Sequence, residues 1–375
     1  MRPIQMVDLK QQYKQIKTEV DAAVLNVLEN AAFINGPEVQ SFAEALSRYI
    51  GVKHVIPCAN GTDALQIAMM ALGLQPGDEV ITPSFTYIAT TEVIALLGLK
   101  PVFVDVDPKT YCIDIEALQK AVTPKTKAIV PVHLYGQAAK MEEMIKFAVA
   151  NNLHVIEDNA QAIGSDYYFS DGSTKKTGSI GTVGSTSFFP SKNLGCFGDG
   201  GALTTNEDEL ATTLKMVANH GQSKRYYHDI VGCNSRLDTI QAAVLEIKLK
   251  YLDSYTESRR KVANYYDEAF LENPKIITPY RADYCKHVFH QYTLVLEGID
   301  RAGLHDYLVQ HNVPSMIYYP VPAHRQKMFA SFGTGAINLP VTDWLAERVI
   351  SLPIHTEMEE EQLHYITSNV LKFLN

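Results

Sequence analysis

No apolar run in these 375 residues reaches the roughly 18 needed for a membrane-spanning helix. The opening residues, Met1-Arg2-Pro3-Ile4-Gln5, also lack the apolar stretch of a secretory signal. Cysteine is sparse and unpatterned. The five residues, at 58, 112, 196, 233 and 285, contain no CxxC pair, which argues against a disulfide framework or a thiolate zinc site and points to a reducing cytoplasm. Positive charge is short as well: the formal net charge is −9, and no basic cluster interleaves with aromatics. Neither nucleic acid nor an anionic membrane is therefore an expected partner. The twelve histidines form no HExxH pair, and His287 and His290 have no thiol or carboxylate at ligand spacing, so no metal is expected. Also missing are a GxSxG elbow, a Walker lysine sequence and a GxGxxG following a strand, which leaves hydrolase, nucleoside-triphosphate and dinucleotide readings without their motifs. Internal repeats and low-complexity segments are absent.

What is present is ordinary globular composition, with 46% hydrophobic and 20% charged residues. Ile16, Val20, Val24, Val27 and Leu28 fall at helical spacing and predict an amphipathic helix over 14–30. A second helix carries Val39, Phe42, Leu46 and Tyr49 on one face. Beyond Gly51 strands near 54–58, 79–82, 101–105, 127–132 and 153–157 alternate with helices near 62–72, 86–97, 114–121 and 141–151. Such alternation predicts an α/β fold built on a mainly parallel sheet, with ligands gathered at the carboxyl ends of the strands. A strand at 202–204 and helices near 207–219, 236–248 and 250–270 follow. The expected division is a large domain over 1–250, including the N-terminal helix, and a smaller α+β domain over 251–375.

Two residues organise the chemistry. The run Val155-Ile156-Glu157-Asp158 reads as a buried strand ending in an acid, and Ser187-Phe188-Phe189-Pro190-Ser191-Lys192 places a lysine among apolar and small residues. Desolvation favours the neutral, nucleophilic amine, and an acid at a strand end can hold a pyridinium nitrogen protonated. That pairing is the arrangement expected for pyridoxal 5'-phosphate (PLP). Taken singly, Lys192 reads as a solvated loop lysine and Asp158 as a helix cap. Asn60-Gly61-Thr62 lies where a strand turns into a helix, a place that binds phosphate, though Thr62 also reads as a simple N-cap. Tyr87, at a second strand end, can stack on a flat ring or cap the sheet. In Gly232-Cys233-Asn234-Ser235-Arg236-Leu237-Asp238, Asn234 can reach a phosphate and Arg236 an anion, or Asp238 or Ser235 can cap the next helix. Tyr318 and Tyr319 sit in a stretch pinned by prolines.

These motifs, in this order over essentially the whole chain, resemble those of the DegT/StrS group of PLP-dependent sugar-nucleotide aminotransferases, within fold type I. The resemblance rests on Asn60-Gly61-Thr62, Pro83-Ser84-Phe85-Thr86-Tyr87, Glu157-Asp158-Asn159-Ala160-Gln161, Ser187 through Lys192 and Gly232 through Asp238. It implies that Lys192 is the Schiff-base lysine, that Asp158 pairs with the pyridine nitrogen, that Gln161 lies near the phenolic oxygen and that Tyr87 stacks on the ring. Gly61, Thr62 and Ser187 then hold the phosphate, with Asn234 reaching it from the partner subunit of a homodimer. Ser191, Arg236, Tyr318 and Tyr319 face the sugar nucleotide, and Ala31 and Phe33 line its mouth.

Within the family the pattern is nearest to members that aminate C3 of UDP-2-acetamido-2-deoxy-3-keto-glucuronate for surface polysaccharide, with L-glutamate as donor. Phe33 and Tyr318 depart from that pattern, which has tyrosine and histidine there. The alternatives are a dTDP- or UDP-linked 3-keto-6-deoxy or 4-keto sugar, or a PLP-binding regulatory protein without turnover. The related sugar dehydratases carry histidine where Lys192 stands.

Overall fold

Along much of the central sheet the residues leave little choice of environment. Strands such as Glu79–Pro83 and Gly201–Thr205 are buried at every position, as expected where helices cover both faces. The computed structural model describes residues 1–374. Two helices lead, α1 (Leu9–Asn30) and α2 (Pro37–Ile50). Alternation follows as β1 (His54–Cys58), α3 (Gly61–Ala71), β2 (Glu79–Pro83), α4 (Ala89–Leu96) and β3 (Lys100–Val104). It continues with α5 (Ile115–Ala121), β4 (Thr126–Ile129), α6 (Met141–Ala150) and β5 (His154–Asp158). A hairpin, β6 (Asp166–Tyr168) with β7 (Thr174–Lys176), precedes β8 (Val183–Ser187) and β9 (Gly201–Thr205). Then come α7 (Asp208–Ala218), a second hairpin of β10 (Gln222–Lys224) and β11 (Tyr227–His228), α8 (Thr239–Leu249) and α9 (Leu252–Phe270).

The main sheet has seven strands in the order β1-β9-β8-β5-β4-β2-β3. Only β9 runs against its neighbours β1 and β8; the remaining pairs are parallel. The fold is thus α/β with a mainly parallel central sheet. A second, antiparallel sheet joins β12 (Ile276–Ile277), β13 (Tyr292–Leu296) and β14 (Val349–Leu352). It packs with α9, α10 (Arg301–Gln310) and α12 (Glu360–Leu374) around Tyr266, Tyr292, Leu304 and Ile366, and Ile4 joins that core from the chain's beginning. A short helix, α11 (Pro340–Arg348), leads into β14. Among the described residues no helix is long and apolar enough to cross a membrane, and no cluster of potential ligands is placed to hold a metal ion.

Several boundaries differ from the sequence reading for local reasons. Helix α1 starts at Leu9 rather than 14, because Asp8 caps it by accepting from the Gln11 amide at 3.0 Å. Strand β4 stops at Ile129, two residues before Pro131, which has no amide hydrogen to offer. Helix α8 starts at Thr239 rather than 236, since the preceding residues are engaged elsewhere: the Ser235 amide donates to the Ala218 carbonyl, and Asp238 bridges Ile34. The two short hairpins were not foreseen, their strands being only two or three residues long.

Candidate active site at the carboxyl edge of the sheet

The carboxyl ends of β1, β2, β5 and β8 lie along one edge, where an open α/β sheet collects ligands. Asp158 closes β5 and is nearly buried. One carboxylate oxygen accepts from the Thr90 hydroxyl at 2.8 Å and the other from the Ala160 amide at 3.1 Å. Lys192 follows β8 on a tight loop, in which its amide donates to the Phe189 carbonyl at 2.8 Å and the Cys196 amide to the Phe188 carbonyl at 2.8 Å. Its side chain is half-buried. Desolvation brings its pKa down to about 8, against the opposing pull of the Asp158 carboxylate.

Next to this pair the main chain forms a close cradle. Gly201 pairs with both Cys58 and Ser187, and a Cβ there would meet the Asn60 carbonyl at 2.4 Å. A Cβ on Gly61 would lie 2.6 Å from that of Ser187. Both positions need glycine because backbones approach this closely. Asn60, not Thr62, caps α3, its side chain accepting from the Asp63 amide at 2.8 Å. The amides of Gly61 and Thr62 have no partner within the described chain, which leaves an anion-ready helix start beside the Ser187 hydroxyl.

The opposite wall is aromatic. Gln161 donates to the Tyr319 hydroxyl at 3.0 Å, and its amide oxygen accepts from the Tyr135 amide at 2.7 Å. Tyr135 has a left-handed backbone, φ 58°, rare for so bulky a residue, and its hydroxyl donates to the Tyr318 carbonyl. Tyr87 is 56% exposed, its ring 6.1 Å from that of Tyr319. The structure thus brings together Lys192, Asp158, Gln161, Tyr87, Tyr318 and Tyr319 on one side, and Gly61, Thr62 and Ser187 on the other. Ser191 lies half-buried beside Lys192. These residues fit PLP: a desolvated amine near a fixed carboxylate, unpaired helix-start amides for the phosphate, and an exposed aromatic ring.

Four predicted residues lie on two segments that pair with one another, 31–34 and 232–239. Ala31 ends α1 with φ 51°, and Phe33, 45% exposed, accepts through its carbonyl from the Thr239 amide at 3.1 Å. Asn234 is exposed and Arg236 half-buried, and neither side chain has a hydrogen-bond partner among the described residues. Ser235 between them is buried; its hydroxyl accepts from the Ala59 amide at 3.0 Å and donates to Asp63 at 2.6 Å. This ties the 232–238 segment to the same chain's α3 cradle. A cleft of about 520 Å³ lined by Glu257, Arg260, Arg281 and Lys286 contains none of the predicted residues. Its three cations are already paired, Lys286 and Arg260 with Glu257 at 2.7 and 3.8 Å and Arg281 with Asp267 at 2.5 Å.

Sequence reasoning missed Thr90, Tyr135, Ser235 and, most of all, Glu157. That carboxylate is fully buried and accepts from His133 Nε2 at 2.9 Å and from the amides of Gly178, Ile180 and Gly181 at 2.6–2.8 Å. His133 Nδ1 accepts from the Ala139 amide, which assigns the donated proton to Nε2. The signal was in hand, since a Glu adjacent to Asp158 inside a buried strand must find partners.

The family model described as DegT/DnrJ/EryC1/StrS aminotransferase matches residues 14–371. Over 363 residues the chain is 46% identical to the UDP-2-acetamido-2-deoxy-3-oxo-D-glucuronate aminotransferase of Pseudomonas aeruginosa, covering 97% of this chain and 98% of that one. It is 44% identical over 372 residues to a pleiotropic regulatory protein of Geobacillus stearothermophilus (99% and 98% covered). Identity to the dTDP-3-amino-3,4,6-trideoxy-alpha-D-glucose transaminase of Streptomyces venezuelae is 38% over 359 residues (96% and 93%). Among solved structures, DesV of S. venezuelae in complex with a ketimine intermediate superposes with TM-score 0.93 at 37% identity (99% and 98%). NtdA of Bacillus subtilis with bound cofactor PMP gives 0.92 at 29% (100% and 86%).

Glu157 generates a stability prediction. Burial pushes its pKa up, but the hydrogen bond from His133 and the amides of Gly181 and Gly178 outweigh burial and hold it below the ordinary carboxylate range. A carboxyl held low in the folded state contributes stability that is present above the unfolded carboxyl's pKa and is lost as pH falls through the folded value. Glu157→Gln is expected to cost about 2 kcal/mol at pH 7, because the Gln NH2 group turns a donor toward buried donors that need an acceptor. Urea titrations at pH 7 and below pH 4 measure this. The gap between wild type and variant should narrow in acid, and an equal gap at both would contradict the assignment.

Proposed function

The chain belongs to the DegT/DnrJ/EryC1/StrS aminotransferase family, and from that membership we propose that it moves the amino group of L-glutamate to C3 of UDP-2-acetamido-2-deoxy-3-keto-glucuronate. At the coarser level it is a PLP-dependent sugar-nucleotide aminotransferase. The acceptor, the donor, the residue roles below, a cytoplasmic homodimer and a product destined for surface polysaccharide such as lipopolysaccharide O-antigen are our reading.

The observation that carries the chemistry is the desolvated amine of Lys192 facing the fixed carboxylate of Asp158. What the cofactor supplies there is a carbonyl carbon that exchanges an amino group and a ring that accepts the electrons of the broken C–H bond. Asp158, held by Thr90 and Ala160, keeps a proton on the ring nitrogen. Lys192 takes the proton from the α-carbon of glutamate and, in the second half-reaction, delivers one to C3 of the sugar. Gly61, Thr62 and Ser187 receive the phosphate, Gln161 the phenolic edge, and Tyr87 covers the ring face. Asn234 and Arg236, whose side chains have no hydrogen-bond partners among the described residues, serve the neighbouring subunit's site, where Ala31, Phe33, Ser191, Tyr318 and Tyr319 complete the sugar-nucleotide pocket.

The similarity to the P. aeruginosa glucuronate enzyme supports the acceptor assignment. A dTDP- or UDP-linked 3-keto-6-deoxy or 4-keto sugar is the second reading, favoured by the match to the S. venezuelae transaminase. A regulator without turnover is the third, favoured by the likeness to the G. stearothermophilus protein. Release of 2-oxoglutarate from glutamate in the presence of a keto-sugar nucleotide separates the last from the first two.

Borohydride treatment of the pigmented protein should leave a phosphopyridoxyl mass on the peptide containing Lys192. Lys192→Ala should lower turnover by at least the ~10²–10⁴-fold of a positioned acid–base group. A mass on another lysine would overturn the site.

Shared sites make a separate claim. Mixing inactive Lys192→Ala protein with an inactive Asn234→Ala, Arg236→Ala double variant should restore part of the activity through hybrid dimers that retain one intact site. Verified subunit exchange with no recovery would count against it.

For the acceptor, kcat/KM on the glucuronate should exceed that on its 6-deoxy counterpart. Arg236→Ala should cost roughly 10- to 100-fold on the glucuronate alone, the worth of a hydrogen bond to a charged group. A better rate on the deoxy sugar would reject the glucuronate. Equal losses on both would assign Arg236 to a common group such as the diphosphate.

A further inference from the structure

We propose that Lys248 is a positioning residue for Lys192: its buried ammonium grips the Gly195 carbonyl and so fixes the loop that carries the reactive amine. The inference rests on Lys192 being the reactive lysine.

Lys248 lies on α8 and is 1% exposed, one of the largest side chains buried outright in the molecule. Its Nζ donates to the Gly195 carbonyl at 2.6 Å and sits 5.3 Å from the centre of the Phe197 ring. No carboxylate lies within ion-pair range of it among the described residues. The titratable groups that face it are Cys196 and Arg259. Arg259 is itself 2% exposed and bonded only to the carbonyls of Phe289, His290 and Ile354, so it adds like charge rather than a counter-ion. Desolvation, with Arg259 adding to it, lowers the pKa of Lys248 to about 8. A buried ammonium without a counter-ion is costly, and an apolar side chain of similar volume would fill the same space without that cost. Folding alone therefore gives no reason for lysine here. The hydrogen bond to Gly195 does.

Gly195 is well placed to transmit the grip. A Cβ on it would lie 2.3 Å from the Pro190 carbonyl, so the two ends of the Pro190–Gly195 turn are in backbone contact with Lys192 between them. The loop has other tethers: the Asn193 side-chain amide donates to the Val288 carbonyl at 3.0 Å, the Phe197 amide to Gln241 at 2.8 Å, and Tyr13 of α1 packs edge-on against Phe197 at 5.7 Å. Lys248 supplies the charged tether. The groups that face the Lys192 amine are Asp158 and His290. Loosening the turn lets that amine move away from both and toward water, where its ammonium form is better solvated.

The test uses the full chain with added pyridoxamine 5'-phosphate, so that the Lys192 amine is free, and limiting acetic anhydride across pH 6–11. Mass spectrometry of the Lys192 peptide gives the pH of half-labelling. In Lys248→Met that pH should rise by about one unit toward the ordinary lysine range. Hydrogen exchange of the 188–198 amides should quicken by about tenfold, with a melting temperature equal to or above wild type. Lys248→Arg, which keeps donor and charge, should leave the half-labelling pH near the wild-type value. A folded Lys248→Met protein with unchanged half-labelling and exchange would overturn the proposal. If Lys248→Met does not fold, Lys248→Leu takes its place. It too lacks a donor for Gly195, so its half-labelling pH should also rise, and an unchanged value would overturn the proposal. The labelling is read whether or not Lys192 is the residue that borohydride fixes, so failure here and failure of the site assignment are told apart.

Discussion

Glu157 and Asp158 are neighbours on β5, and the two-residue period of a strand sends their side chains to opposite faces of the sheet. Glu157 turns toward His133 and the amides of the 178–181 turn, while Asp158 turns toward Thr90. The half turned away from the site controls the half turned toward it. The 178–181 turn leads directly into β8, whose register against β5 sets Glu157 opposite Gly184 and Asp158 opposite Ser185. Gly184 is itself required, since a Cβ there would lie 2.2 Å from the Gly178 carbonyl. By holding the start of β8, Glu157 fixes where that strand ends, and the Lys192 loop begins there. The spacing of acid and amine across the site is therefore set by a carboxylate that never touches a ligand.

The second constraint comes from the far end of the chain. Gln161, three residues past Asp158, holds Tyr319 through its amide nitrogen and the strained Tyr135 backbone through its oxygen. Tyr135 in turn holds the Tyr318 carbonyl. The Tyr318–Tyr319 loop thus meets the edge of the main sheet through a glutamine that also borders the site. Closing the polar network with Gln161, rather than with apolar packing alone, fixes the direction of both tyrosines, because each bond has a preferred geometry.

Much of this was legible in the sequence. The βα alternation from His54 to Asp158 carries the parallel sheet, and the acid at a strand end with a lysine beyond the next sheet strand carries the proposed chemistry. Both are local patterns, read from periodicity and from residue types that burial must either pair or perturb. The unread parts join residues far apart in the chain: His133 with Glu157, Ser235 with Asp63, Lys248 with Gly195. Nothing in the neighbourhood of Lys248 marks it as buried, since its helix would accept a surface lysine there. Only the packing of α8 against the Lys192 loop does so. Thr62 as a helix cap was a plausible local reading that lost to Asn60, whose side chain reaches the Asp63 amide first.

The cofactor side of the site and the substrate side differ in how firmly this chain specifies them. Gly61, Ser187 and Gly201 are fixed by backbone approach, where a single added carbon would collide, and Asp158 is fixed by its hydrogen bonds. At Phe33, Asn234 and Arg236 the division is different. The backbone is committed, through the Phe33 carbonyl to Thr239, the Ile34–Asp238 bridge and the Asn219–Asn234 bridge. The Asn234 and Arg236 side chains have no hydrogen-bond partners among the described residues, and the Phe33 ring is 45% exposed. A segment held by its main chain with free side chains can change those side chains at little cost to the fold. The same scaffold can then serve several keto sugars while the chemistry at Lys192 stays the same. On the proposed assignment of these side chains to the sugar pocket, that is why cofactor motifs, however complete, constrain the sugar so weakly.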